Sequence, residues 1–148
     1  MFRKVKSRVG KLKLAKKWWQ WPLGLTGLYV AFVLGFVWWH CHKSGLEGGK
    51  YGPLDAYRHT LASAVVAYTT TPKLVVAITN LMEFKNRPID LMDQHNNAIG
   101  ARIGMQVDSL FKLDAAVKAQ VSRGTINATD ANQTTWLPQQ EWLESLLW

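Results

Sequence analysis

A charge-free apolar stretch, Trp18 to Trp39, constrains this chain more than any other feature. Its roughly 20 residues, rising about 1.5 Å each in an α-helix, match the roughly 30 Å hydrocarbon core of a bilayer. Tryptophans are paired at both ends of the stretch, and tryptophan prefers the headgroup level of a membrane. The stretch therefore predicts a transmembrane anchor over residues 18–42. The alternative is a buried core helix, which rarely carries tryptophan pairs at both ends.

Charge is distributed unevenly about this anchor. The net charge is +8, yet eight of the 18 basic residues precede the apolar stretch and all ten acidic residues follow residue 46. By the positive-inside rule the basic arm, residues 1–17, stays in the cytoplasm and the rest is exported. In a bacterium this predicts a single-pass inner-membrane protein with a periplasmic C-terminal domain. Nucleic acid is an unlikely partner of the arm, because the adjoining span favours contact with the lipid membrane.

Residues near the end of the apolar stretch bear on its fate. Bulky Trp38, Trp39 and His40 lie at its C-terminal end, whereas signal-peptide cleavage needs small residues there, so the sequence predicts an uncleaved anchor. Within the span, small residues recur at four-residue spacing, which allows close helix approach and suggests a homo-oligomer through Gly27, Ala31 and Gly35. The single cysteine excludes an internal disulfide.

The exported part is long enough for one small hydrophobic core. After a flexible glycine-rich linker, residues 43–53, apolar spacing predicts helices over residues 54–70, 73–85, 89–107 and 108–122. Strand-like alternation is absent. We therefore predict an all-α fold with a single N-terminal transmembrane helix followed by a small helical domain over 54–123, and then a loop and a tryptophan-rich amphipathic helix over 124–148.

Polar residues interrupt the apolar faces of the predicted helices. Asp55 and His59 lie one turn apart on the first helix of the domain, where a carboxylate can fix the tautomer of the histidine ring. His95 and Asn96 occupy an apolar stripe of the third helix. Because buried polar groups need partners, we expect a single cluster between three helices. Its candidate members are Asp55, Arg58, His59, Glu83, Asp93, His95, Asn96 and Asn97.

Histidines and carboxylates on rigid helices can bind a divalent metal or carry out general acid–base chemistry. In that interpretation Asp55 orients His59, which activates a water molecule, while His95 and Glu83 complete a metal site or serve as acid. The spacing matches no metal-binding signature such as H-E-x-x-H. The same side chains could instead form a structural hydrogen-bond network.

Two runs within these helices carry a resemblance. Asp55-Ala56-Tyr57-Arg58-His59 and Asp93-Gln94-His95-Asn96-Asn97-Ala98-Ile99-Gly100, with Glu83 between them, resemble a bacterial domain family found in exported and toxin-associated proteins. The pattern is D-A-aromatic-R-H, a downstream Glu, and D-x-H-N-N-x-x-G. The resemblance covers residues 53–105 and implies that the eight polar residues are the family's shared set. It implies no particular reaction.

Two functions are compatible with these features. The first is a membrane-anchored cell-envelope hydrolase of phospholipid or peptidoglycan, in which Arg58 and Asn97 hold the anionic part of the substrate. The second is a non-enzymatic membrane component of an envelope or virion assembly, such as a secretion, conjugation or phage structure, in which the polar cluster is structural.

Overall fold

The computed structural model of the protein describes residues 20–82 and 88–143, with side chains over 24–78 and 89–143. It confirms the all-α fold. The helices are α1 Gln20–Ser44, α2 Pro53–Thr69, α3 Pro72–Met82, α4 Pro88–Gln106 and α5 Leu113–Val121, with 3-10 turns at Leu110–Lys112 and Gln139–Glu141. Two short strands, β1 Thr125–Ile126 and β2 Thr135–Trp136, pair in parallel. The basic arm, Glu83 and residues 144–148 lie outside the described residues.

Helix α1 contains the apolar stretch that the sequence predicts as an anchor. Its segment Gly24–Ser44 is long and apolar enough to cross a membrane, and only 11% of its most apolar window is buried. Leu25 and Leu28 are 65% and 70% exposed, unlike the residues of a soluble core helix. This helix fits a single-pass membrane protein. The second of two compact units begins at Gly35, within α1, because side chains such as Val37 are buried there.

The glycine-rich segment after α1 is packed, which differs from the predicted flexible linker over residues 43–53. Gly48 and Gly52 are buried and so close that a Cβ on either would overlap the backbone of the other. Lys50 exchanges two backbone hydrogen bonds with Leu143, of 2.9 and 3.1 Å. Gly48 also has a φ of 76°, which glycine adopts without strain. These glycines permit a tight turn and a close contact.

The C-terminal segment is extended where it is described, so the amphipathic helix predicted from residue 138 is not observed over 138–143. Gln139–Glu141 is a single 3-10 turn, and Leu143 pairs with Lys50. Trp142 donates a hydrogen bond of 2.7 Å from Nε1 to the carbonyl of Leu137 and is half-buried. The periodicity of apolar residues does not reveal backbone pairing with a distant segment, and this pairing with Lys50 explains the difference.

Helices α2 and α4 form the centre of the domain and run in the same direction, because contacting pairs advance together along both. Ser63 Oγ donates to Asn97 Oδ1 at 2.8 Å. A Cβ at Gly100 would overlap the carbonyl of Thr60, and a Cβ at Gly104 would overlap that of Ala64. The two helices therefore approach each other closely at both glycines.

Around this pair, the core is made of apolar faces on three helices. Those faces include Tyr57, Leu61 and Val65 on α2, Met92 and Ile99 on α4, and Leu113, Val117 and Val121 on α5. The apolar spacing along α4 also predicts that Leu91 faces inward, but Leu91 is 55% exposed.

We expect Gly100→Ala to lower the free energy of unfolding by about 1–3 kcal/mol or more, because its methyl group would meet backbone that cannot move aside. Thermal and urea unfolding in detergent micelles, followed by circular dichroism, measures this. Gly24→Ala is the matched control: it is also a helical glycine, a Cβ there meets nothing within 4 Å, and its stability should be unchanged or higher. Equal stabilities of the two variants would contradict the packing described.

Candidate functional site

Asp55, His59 and Asp93 meet between the N-terminal halves of α2 and α4; we call them the carboxylate–histidine centre. His59 Nε2 lies 3.5 Å from Asp55 Oδ1 and 3.6 Å from Asp93 Oδ1. The Asp55 side chain is 3% exposed, whereas those of His59 and Asp93 are 19% and 16% exposed. The centre is therefore built on rigid helices and still reaches the surface through two of its side chains.

The two carboxylate oxygens of Asp55 have different partners: one binds the backbone before α2, and the other faces side chains of the centre. Its Oδ2 accepts a hydrogen bond of 2.6 Å from the backbone amide of Tyr51, a residue with a φ of 66°. Its Oδ1 accepts a hydrogen bond from Arg58 Nη2 and faces His59. The carbonyl of Tyr51 also accepts a hydrogen bond of 2.8 Å from Leu137. One carboxylate thus fixes a left-handed turn before α2 and orients the charged side chains that follow.

Burial and charge act in opposite directions on these groups. Burial alone would raise the pKa of Asp55, but His59 and Arg58 outweigh it and hold that pKa below its usual value. Burial alone would lower the pKa of His59, but the Asp55 and Asp93 carboxylates raise it above the ordinary histidine value. For Asp93 burial prevails and raises the pKa to about 6, against the opposing charge of His59.

The centre also has the composition of a metal site. One ligand atom from each of the three side chains lies within 4.8 Å of the other two. Two donors held at about 2.1 Å from one ion cannot be more than about 4.2 Å apart, so the widest pair would close slightly on binding. Among the described residues, the buried Asp93 Oδ1 has no hydrogen-bond partner. A ligand set of one imidazole and two carboxylates suits Mn²⁺ or Zn²⁺ better than it suits an ion such as Ca²⁺ or Mg²⁺, which prefers oxygen ligands alone.

No known protein family, curated protein or solved structure matches this chain. The resemblance noted above therefore depends only on the two sequence runs that carry it. Any assignment of function must come from the geometry of the centre itself.

The structure brings three of the eight candidate residues into the centre and places Arg58 against it. His95 is elsewhere: its Nε2 lies 2.7 Å from the carbonyl of Gln133, so it does not complete the centre as the sequence suggested. Asn97 accepts its hydrogen bond from Ser63, beside the contact of α2 with α4. Glu83 falls outside the described residues, and its predicted role as a ligand or acid stays a prediction.

Asn96 holds the C-terminal segment against α4. It is fully buried, donates from Nδ2 to the carbonyl of Thr135 at 2.8 Å, and accepts from the Thr135 amide at 2.9 Å. Both backbone groups of one residue are thereby satisfied by one side-chain amide. This geometry gives Asn96 a structural role, because both ends of its amide are hydrogen-bonded to protein backbone.

A second polar group was missed by sequence reasoning. Tyr57, fully buried on α2, donates a hydrogen bond of 2.5 Å to Asp114 Oδ1 on α5. Asp114 Oδ2 lies 3.5 Å from His40 Nδ1 in α1, and Lys118 lies within 3.3 Å of the same carboxylate. The aromatic position within the D-A-aromatic-R-H run was the available signal, but nothing in the sequence indicated its partner.

We expect the ring of His59 to titrate above the ordinary histidine value in metal-free protein, and Asp93→Asn to lower its pKa, because the substitution removes a negative charge that stabilises the imidazolium. Histidine ring resonances recorded by NMR against pH in the presence of a chelator measure both. The matched control is Asp130→Asn, an exposed carboxylate outside the centre, which should leave His59 unchanged. A His59 pKa that rises in Asp93→Asn would show that the described geometry is wrong.

Proposed function

We propose that this protein is a membrane-anchored hydrolase of the cell envelope, and that its carboxylate–histidine centre binds a divalent cation and activates water. The observation that carries the proposal is the convergence of three potential ligand atoms from two helices within 4.8 Å, two of them on side chains that reach the surface. Three protein ligands are typical of catalytic metal sites, which keep a position open for water or substrate.

Each side chain of the centre has a definable task in this proposal. Asp55, fixed by the Tyr51 amide and by Arg58, would present one oriented oxygen. His59 would contribute Nε2 after losing its proton, and Asp93 would contribute a carboxylate oxygen as the third ligand. A bound divalent cation would lower the pKa of a coordinated water and offset negative charge on the substrate.

Location narrows the substrates. With an anchor of the length of α1 and an exported domain, the accessible polymers and lipids are peptidoglycan and phospholipid. We therefore propose a periplasmic domain on an inner-membrane anchor, with phospholipid or peptidoglycan as the substrate class. The unequal charge on either side of the span supports this orientation.

Metal binding by the full chain in detergent micelles tests the proposal. We expect about one Mn²⁺ or Zn²⁺ per chain by elemental analysis, and at least about a tenfold loss of affinity in His59→Ala or Asp93→Asn, since either removes one of three ligands. Affinity should also fall on acidification, because protons compete for His59 and Asp93. His95→Gln is the matched control; it can keep a hydrogen bond to the Gln133 carbonyl and should bind metal normally. Equal metal content in all variants, or none in the unaltered chain, would remove the metal from this proposal.

A second function, a non-enzymatic component of an envelope-spanning assembly, is supported by the protein-only partners of other candidate residues. His95, Asn96 and Asn97 are each hydrogen-bonded to protein groups within the domain. If the carboxylate–histidine centre belongs to the same network, its purpose is to hold α2 and α4 together. The polar cluster would then be structural, and the function would lie in surfaces that contact other proteins.

Unfolding of two variants separates these functions. Asn96→Ala should lower the unfolding free energy by about 2–4 kcal/mol, since it leaves two backbone groups of Thr135 buried without their hydrogen bonds. If the centre is a site, metal-free His59→Ala should lose much less than this. A loss in His59→Ala as large as that in Asn96→Ala, measured by urea unfolding with chelator, would favour the structural function.

A further inference from the structure

The carboxylate–histidine centre is tied to the end of the membrane helix by an ordered path. Helix α1 continues to Ser44. The Ser44 hydroxyl donates a hydrogen bond of 2.8 Å to the carbonyl of Cys41 and accepts one of 3.1 Å from the amide of Leu46. Leu54, the residue before Asp55, then donates a backbone hydrogen bond of 2.9 Å to the carbonyl of Glu47. Hydrogen bonds therefore occur both at the end of α1 and at the start of α2.

A lateral contact adds to this path. His40, one turn before the end of α1, lies 3.5 Å from Asp114, which accepts the 2.5 Å hydrogen bond of Tyr57. Tyr57 lies two residues before His59 on α2. Cys41, the next residue of α1, lies within electrostatic range of both Asp55 and Arg58. The final turns of the membrane helix thus lie close to α2, the helix that carries Asp55 and His59.

The same turns of α1 carry the side chains expected at the headgroup layer. Trp38 and Trp39 are 60% and 52% exposed, and such tryptophans prefer the membrane interface. His42 stacks on Trp38 with ring centroids 5.9 Å apart, and Lys43 Nζ lies 4.1 Å from the centroid of the Trp39 ring. Lys43 is exposed and adds a positive charge that attracts anionic headgroups.

From this arrangement we infer that the substrate is a phosphodiester of the bilayer itself, an anionic phospholipid headgroup taken from the membrane in which α1 is inserted. The inference rests on the proposed hydrolase function and deepens it. A centre held beside the headgroup layer by an ordered connection meets lipid phosphates directly, whereas a glycan layer at a distance would need a longer or flexible tether. A cation-binding centre also matches the charge of a phosphodiester.

The reaction implied is a hydrolysis without redox change. A water oxygen forms a bond to phosphorus, and the bond from phosphorus to one of its two alcohol oxygens breaks. One proton of the water passes to the enzyme and a proton is returned to the leaving alcohol oxygen, so a phosphate monoester and an alcohol result. The second alcohol stays esterified.

The experiment uses the full chain with Mn²⁺, reconstituted into vesicles of phosphatidylcholine and phosphatidylglycerol. Phosphatidylglycerol is supplied either in the same bilayer or in separate protein-free vesicles, and bis(p-nitrophenyl) phosphate serves as the soluble probe. We expect lipid in the same bilayer to be hydrolysed at least about tenfold faster than lipid in separate vesicles, because the ordered connection gives it a high effective concentration.

Two variants test the connection. A flexible glycine–serine insertion between Ser44 and Gly45, combined with His40→Ala, removes the ordered path and the lateral contact while leaving the centre intact. Hydrolysis of lipid in the same bilayer should fall at least about tenfold, and turnover of the soluble probe should stay within about twofold. His40→Ala alone guards against misfolding of the insertion and should give a smaller loss in the same direction.

The outcomes separate this inference from the function on which it rests. Turnover of the soluble probe with no preference for lipid in the same bilayer would overturn the inference and leave the hydrolase function standing. Turnover of neither probe nor lipid by the unaltered, metal-loaded chain would overturn both. Unchanged lipid turnover after the insertion would also overturn the inference, because position at the membrane would then be irrelevant.

Discussion

The close contact between α2 and α4 sets the positions of His59 and Asp93 relative to each other. Backbone at Thr60 and Ala64 occupies the space that side chains at Gly100 and Gly104 would fill, so the two helices pack in close contact in the observed register. That register places Asp93 3.6 Å from His59. Because protein interiors are close-packed, a change in the contact at the two glycines would move α2 and α4 apart, and with them His59 and Asp93.

Asp55 links this packing to the chain that precedes it. One of its oxygens holds the backbone of Tyr51 in a left-handed turn, and the other faces Arg58 and His59. The same turn accepts a hydrogen bond from Leu137 in the C-terminal segment. A carboxylate held by the Tyr51 amide, Arg58 and His59 is fixed in position, and this supports preorganisation for the proposed cation. It also means that a substitution at Asp55 would disturb folding and binding together, so His59 and Asp93 are the better probes of function.

The sequence predicted the parts of the centre that depend on one helix and failed where a distant segment decides. The pairing of Asp55 with His59 follows from their four-residue spacing on α2. Gly100 and Gly104, also four residues apart, indicate the close contact of α2 with α4. His95 was assigned to the same cluster because it lies on an inward face, but a helix has neighbours on several sides. The carbonyl that His95 contacts belongs to Gln133, 38 residues away in a segment whose extended course no helical periodicity reveals.

Charge balance explains why one arrangement supports both a structural and a catalytic interpretation. Two carboxylates, Asp55 and Asp93, are held close to one histidine and to Arg58, so the centre carries an excess negative charge whenever His59 is neutral. Either a proton on His59 or a divalent cation can supply the missing positive charge. The raised pKa of His59 corresponds to the first of these solutions in metal-free protein. A cation would replace that proton without requiring new side chains. If the centre binds a cation as proposed, protons compete with that cation for His59, and pH would set the balance between the two forms.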